Sequence, residues 1–256
     1  MQKPGQAADQ KPSCLWQEDA VTMLGIIGGT SLSHLELFRE LKKSTTKTPF
    51  GQATIYKGEG YVLVLRHGED HSIPPHKVNV QANLWAMKKA GVRHVIGISS
   101  VGSMRKTRGA GSIVIPNDFL QLTGHITIHD SFKNGLAHIV PQLDKVFRKE
   151  LIDQLRENDI RIVDGGVYMN TPGPRLETRA EVAMFSKFAD VCGMSMAGEA
   201  TIAQELGLAY ANISIVDNMA HGILRQDVTL ESIMESVKQN SDKVKNLLET
   251  IIKVMV

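Results

Sequence analysis

"EATIAQELGLAYANISIVDNMAHG", Glu199 to Gly222, carries two structural periods in succession. "EATIAQELG" reads as a helix. "LAYANISIVDN" is an apolar run of strand length that stops abruptly at Asp217 and Asn218, followed by a small residue and His221. A helix feeding a buried strand is the unit of parallel sheets, and such strands deliver side chains to a ligand at their carboxyl ends.

Outward from this unit the pattern recurs. "LGIIGG", "YVLVLRHG", "HVIGISSVGS", "GSIVIPNDFL", "GGVYMN" and "ADVCGMSM" read as strands. "KVNVQANLWAMKKAG" and "DKVFRKELIDQLRENDI" read as helices, and "TLESIMESVKQNSDKVKNLLETIIKVM" as one long closing helix. The alternation predicts an α/β fold: a single domain over residues 23–256, with a twisted, mostly parallel mixed sheet flanked by helices. Residues 1–22 are polar and Pro/Gly-rich and read as a flexible extension, with Met23 a candidate start of the domain.

Composition narrows the function. The chain has 256 residues, enough for one large α/β domain. The net charge of +2 comes from scattered lysines and arginines, which offer no basic stripe for nucleic acid, so a bound anion must be captured locally. Cys14 and Cys192 are far apart, which argues against a disulfide framework and fits a reducing, cytoplasmic setting. No apolar run reaches membrane-spanning length.

Several predicted strands end in residues with chemistry. "GIIGGTSL" places Gly28, Gly29 and Thr30 at a strand end, where glycines permit close approach and N–H groups with a hydroxyl can cradle an anion. A tight turn explains the same glycines, and neither the dinucleotide nor the P-loop spacing is present. Arg66 and His67 follow another apolar run; arginine suits bidentate contact with phosphate oxygens, although a surface ion pair is the plainer alternative. Ser99 and Ser100 offer two hydroxyls, or alternatively a helix cap. No metal is expected, because His71 and His76 lack an accompanying carboxylate or cysteine cluster. "NTPGPRLETRAE" holds Leu176 and Glu177 on a stiff loop, where Glu177 serves either a ligand or the cap of a following helix. Met194, Ser195 and Glu199 come next, the methionine reading as core filling.

Taken in this order, "GIIGGT", "RHG", "HKVNVQANLWAMK", "SSVGS", "GVYMNTPGPRLETRAE" and "GMSMAGEATIAQELGLAYANIS" resemble the trimeric purine nucleoside phosphorylase and methylthioadenosine phosphorylase family. The resemblance covers nearly all of the chain beyond the extension. It implies a homotrimer, or a dimer of trimers, without cofactor, acting on a purine nucleoside with inorganic phosphate as co-substrate. It further implies phosphate contacts from Thr30, Arg66, His67, Ser99, Ser100 and Ser195, and a ribose contact from Met194. Base contacts would come from Leu176, Glu177 and Asn218. The neighbouring subunit would close the sugar pocket, with the segment from His125 to His138 as lid and His138 as the candidate residue.

In the resembled family, adenine-type substrates go with an aspartate at the position of Asn218, and 6-oxopurines with asparagine there and glutamate at the position of Glu177. The carboxylate accepts from N1–H and the amide serves N7 and O6. Glu177 and Asn218 therefore point to hypoxanthine or guanine, with Asn218, or Asp217 if protonated, the leaving-group donor. Asp217 keeps an alternative open, since a shift of one residue restores an adenine-like acid. At the 5′ end the family's 6-oxopurine nucleoside enzymes place a histidine, where this chain has Leu230 with Met234 one turn on; an apolar wall favours a methylthio group, while both residues also suit a helix core. The expected substrate is 5′-methylthioinosine, then inosine or guanosine, then methylthioadenosine. A nucleosidase and a non-catalytic nucleoside-binding module are the competing functions. Leu176 stands where the family has an aromatic, Ser31 where it has glycine, Gly198 where it has proline, and the region His125–Asp144 is shortened.

Overall fold

A twelve-residue strand, Val92–Ser103, organises the molecule, because three other strands pair with it. The structure is a computed structural model that describes residues 23–33, 36–131, 138–225 and 228–256. The N-terminal extension and most of the second half of the expected lid, residues 132–137, lie outside the described residues.

In chain order the strands are β1 (Met23–Gly28), β2 (Lys42–Thr48), β3 (Gly51–Lys57), β4 (Tyr61–Leu65), β5 (Val92–Ser103), β6 (Ile113–Ile115), β7 (Asp118–Gln121), β8 (Val163–Asp164), β9 (Val167–Asn170), β10 (Val191–Gly193) and β11 (Ala209–Met219). The helices are α1 (Thr30–Ser33), α2 (Val80–Lys89), α3 (Lys145–Glu157), α4 (Arg179–Phe185), α5 (Met196–Glu205), α6 (Leu230–Gln239) and α7 (Ser241–Met255). The strands form one mixed sheet with a main path β2-β3-β4-β1-β5-β10-β9-β7, from which β11, β6 and β8 branch off through β5. Pairings at its centre, β1 with β4 and β5 with β1 and β11, are parallel.

Burial on both faces follows from period-two alternation. Leu24, Ile26, Leu63, Leu65, Ile213 and Ile215 pack toward α3 and α7, and Ile27, Val62, Val64, Val95, Tyr210 and Val216 toward α2 and α5. Replacing one of these buried aliphatic residues by alanine costs on the order of 2–5 kcal/mol.

Three features differ from the sequence reading. A hairpin, β2 and β3, occupies the edge; "KKSTTKT" is polar throughout and gave no apolar run to read. A lysine-rich edge strand resists pairing with other chains. "GSIVIPNDFL" forms two strands, β6 and β7, interrupted at Pro116, which cannot donate to a ladder. The closing helix is two helices that meet at Asn240, whose side-chain amide donates to Asp217 Oδ1 at 3.1 Å. An asparagine that bonds outside the helix is a weak interior residue. α7 buries Val244, Leu247, Leu248 and Ile251, whereas α6 buries Val237 alone. α6 thus leans over the sheet with most of its surface outside the core.

Candidate active site

The sheet opens at one place. β1 accompanies β5 as far as Gly28 opposite Ile98, and β10 takes up β5 again at Gly102 and Ser103, running antiparallel. Between them Ser99, Ser100 and Val101 have no strand partner on that side among the described residues, while β11 continues to pair along the other. The carboxyl ends of β1, β4, β10 and β11 gather over this gap, the position where open α/β sheets place ligands.

A cavity of about 230 Å³ lies there. Thr30, Arg66, His67, Ser100 and Ser195 line it, together with Met194, Leu176, Glu177, Asn218, Leu230 and Met234. Several sit just past a strand or at a helix start: Thr30 opens α1 after β1, Arg66 and His67 follow β4, and Ser195 is the N-cap of α5, while Ser100 and Asn218 lie near the ends of β5 and β11. Ser99, Asp217 and His138 stand outside the lining. Ser99 is buried behind Ser195, the two hydroxyl oxygens 3.0 Å apart. Asp217 is the residue at which β11 slips register against β5, between Val216 and Asn218. Its carboxylate accepts from the Ser100 hydroxyl and from Asn240, and burial raises its pKa. The adenine-like acid left open by the sequence therefore faces away from the cavity. His138 is exposed and lies apart from this cavity in its own chain.

Arg66 is buried at the cavity, but its fork is directed elsewhere. Nε donates to Glu199 Oε1 at 2.5 Å and Nη2 to Glu199 Oε2 at 3.1 Å, and Nη1 donates to the Ile98 carbonyl at 3.0 Å. The bidentate contact expected for phosphate is thus made with a carboxylate, and a buried ion pair of this kind depends on both partners. Gly29 passes directly over the guanidinium: a Cβ there would stand 2.6 Å from Nη1 and 3.3 Å from His67 Nε2, so only glycine fits.

His67 Nδ1 lies 2.8 Å from the Ile73 carbonyl, which only accepts, so Nδ1 carries the hydrogen. Nε2 of the neutral ring is then an acceptor. Burial, and next the Arg66 charge, lower the His67 pKa from 6.5 to about 4. His71, absent from the sequence-based set of phosphate contacts, also lines the cavity; its Nε2 is 3.5 Å from Thr30 Oγ1 and its ring meets that of His67 edge-on. Its backbone has φ of 57°, an uncommon conformation outside glycine.

On the opposite part of the lining, Glu177 Oε1 accepts from Thr171 Oγ1 at 2.6 Å and Oε2 from Cys192 Sγ at 3.7 Å. Burial and then the Glu177 charge push the Cys192 thiol well above its ordinary pKa, so it stays a donor. The helix cap that competed for Glu177 is supplied by Thr178 and Glu181, which form a capping box on α4. Asn218 Nδ2 donates to the Met219 carbonyl at 2.8 Å, leaving Oδ1 and a second N–H for other partners.

The third part of the lining is apolar. Leu230, Ile233 and Met234 come from α6, and Val228 precedes it. Ile233 was legible in principle, being three residues from Leu230 on the same helix face. Cys192 and His71 gave no signal of their own, since a cysteine in an apolar run and a histidine in a loop are ordinary.

The fold and this cavity define an α/β protein with a polar subsite, a carboxylate–amide subsite and an apolar wall in one hollow. Comparison with known proteins makes the assignment specific. Residues 23–253 match the model of the Phosphorylase superfamily, and the chain belongs to that family. It is 38% identical over 236 residues to a probable 6-oxopurine nucleoside phosphorylase of Archaeoglobus fulgidus, covering 90% of this chain and 96% of that one. It is 35% identical over 240 residues to a probable S-methyl-5′-thioinosine phosphorylase of Methanocaldococcus jannaschii, covering 90% and 92%. Among solved structures, methylthioadenosine phosphorylase from Schistosoma mansoni in complex with adenine superposes with a TM-score of 0.82 at 26% identity, over 91% of this chain and 92% of that one. The single-domain α/β fold read from the sequence agrees with these relatives. No helix among the described residues is long and apolar enough to cross a membrane.

Proposed function

We propose that this chain cleaves the N-glycosidic bond of a 6-oxopurine nucleoside with inorganic phosphate, with 5′-methylthioinosine as the preferred substrate and inosine or guanosine next. The products are free purine and the corresponding pentose 1-phosphate. One observation carries the reading: Glu177 and Asn218 line the same cavity as Thr30, His67 and Ser195, and Leu230 and Met234 line it too.

Cleavage of the C1′–N9 bond leaves positive charge on the sugar and negative charge on the purine. A phosphate held under C1′ stabilises that cation and then forms the new C1′–O bond, so the protein's task is positioning and electrostatic support. Thr30 and Ser195 supply hydroxyl donors, and His67 Nε2 accepts from a protonated phosphate oxygen. Arg66, neutralised by Glu199, holds the wall against which the anion rests. Asn218 donates toward N7 as charge develops on the base, while the Glu177 carboxylate accepts from N1–H. Orientation of Asp217 away from the cavity favours the 6-oxopurine over the adenine reading. Leu230, Ile233 and Met234 on α6 offer no polar group of their own to a 5′-hydroxyl, and their apolar face suits a methylthio group. Assembly as a homotrimer, with His138 of a neighbouring subunit closing the sugar pocket, belongs to the same proposal, as does a cytoplasmic site of action without cofactor.

Base release from methylthioinosine, inosine and methylthioadenosine, each with and without phosphate, tests it. The expected order is methylthioinosine, inosine, methylthioadenosine, with release confined to phosphate buffer. Adenine released faster than hypoxanthine would reverse the specificity assignment, and equal rates without phosphate would make the protein a hydrolase.

A further inference from the structure

Behind the cavity a line of buried polar side chains runs from Arg66 to Ser195, and elimination fixes the direction of each hydrogen bond in it. Arg66 can only donate, and it does so to the Glu199 carboxylate. Glu199 Oε2 also receives the Tyr210 hydroxyl at 2.8 Å. With its hydrogen committed, the Tyr210 oxygen can only accept. It faces the side-chain amide of Asn212 at 3.3 Å, so the atom turned toward it is Nδ2, and Oδ1 accepts from Ser214 Oγ at 2.8 Å. The other N–H of the same amide donates to Ser99 Oγ at 2.9 Å.

Ser99 is 1% exposed and does not line the cavity. Its own hydrogen has one acceptor within reach among the described residues, Ser195 Oγ at 3.0 Å, and a buried hydroxyl left without an acceptor is costly. Ser195 Oγ therefore accepts from Ser99. Although Ser195 is the N-cap of α5, its side chain makes no capping bond. Its hydrogen is left pointing where Ser195 meets the cavity.

We infer that Asn212 is a positioning residue: acting through Ser99, it fixes the Ser195 hydroxyl as a hydrogen-bond donor aimed into the oxyanion subsite. The inference rests on the reading of that subsite as the phosphate position. Nothing in the sequence marked Asn212, which looks like an interruption in an apolar strand. Its place on the α5 face of β11, beside Tyr210 and Ser214, is what connects the ion pair to the serines.

The substitution Asn212→Asp keeps the shape and reverses the chain: a carboxylate accepts from Ser99, Ser99 must then accept from Ser195, and the cavity loses its donor. Titration of the full-length chain with inorganic phosphate, and separately with hypoxanthine, reads the two subsites without turnover. Asn212→Asp is expected to weaken phosphate binding about tenfold to a hundredfold and to leave hypoxanthine binding within about twofold. Ser195→Ala should do the same, and the double substitution should be no worse than Ser195→Ala alone, since both remove one donor. Asn212→Ala is the second variant if the aspartate one does not fold; it removes the donor to Ser99 without offering a competing acceptor, so a smaller loss of phosphate binding, about twofold to tenfold, is expected. Unchanged phosphate binding in either variant, or losses that add in the double variant, would overturn the inference. Phosphate binding with this pattern in a chain that releases base from no purine nucleoside would support the inference and overturn the phosphorolysis reading instead.

Discussion

Asp217 accepts a hydrogen bond from Asn240 at 3.1 Å and so ties the slipped register of β11 to the break between α6 and α7. The same carboxylate receives the hydroxyl of Ser100, which lines the cavity. One buried acid thus connects the tip of the sheet with the helix that forms the apolar wall. Asp217→Ala removes both bonds and is expected to lower stability by about 1–3 kcal/mol, read by urea denaturation. It should also narrow the preference for methylthioinosine over inosine, because α6 is released. A destabilised variant with unchanged preference would separate Asp217 from the wall.

Thr171 and Cys192 hold the two oxygens of Glu177. Thr171→Val keeps the shape and frees one oxygen, so the carboxylate can turn. KM for inosine should rise about tenfold, corresponding to the net value of one charged hydrogen bond, with KM for phosphate unchanged. Parallel increases in both constants would mean that Thr171 supports the loop and not the carboxylate.

Asn218→Asp places an acid where the base is expected. A protonated acid donates to N7, and a carboxylate accepts from an exocyclic amine but opposes O6. The ratio of kcat/KM for methylthioadenosine over methylthioinosine is expected to rise at least about tenfold, a difference of about 1.4 kcal/mol. An unchanged ratio would remove Asn218 from base selection.

His67 is expected to make the protein sensitive to mild acid. Its folded pKa is about 4 against 6.5 for the unfolded side chain, so between these values the unfolded chain binds more protons. Stability should therefore fall as pH drops from 6.5 toward 4, by at most about 3 kcal/mol from this group and less where solvent screens it. Urea denaturation of wild type and His67→Gln across that range isolates the contribution. The variant should show the shallower dependence; identical slopes would mean that the histidine is not held neutral.

Much of this was legible because strands buried on both faces write continuous apolar runs, and their ends stand out when Arg66, Ser99 or Asn218 follows. The order of those ends carried the family resemblance. Polar edges were invisible for the complementary reason: β2 has solvent on one side and no apolar run to show. The break at Asn240 was hidden because the apolar period of the closing segment runs through it, while its cause is Asp217 in another strand. Directions of side chains were the least legible. Arg66 and Asp217 each had the right chemistry at a strand tip, yet one grips Glu199 and the other turns away from the cavity. Asn212 could not be read at all, since its meaning lies in partners from β5 and α5.

In the proposed reaction the anion in the strand gap attacks the sugar. Following the reaction of methylthioinosine by phosphorus magnetic resonance, with hypoxanthine measured in the same samples, tests it most directly. A pentose 1-phosphate ester should form in equal amount to hypoxanthine, with inorganic phosphate consumed to match. Hypoxanthine appearing with free methylthioribose, and no phosphate ester, would contradict it.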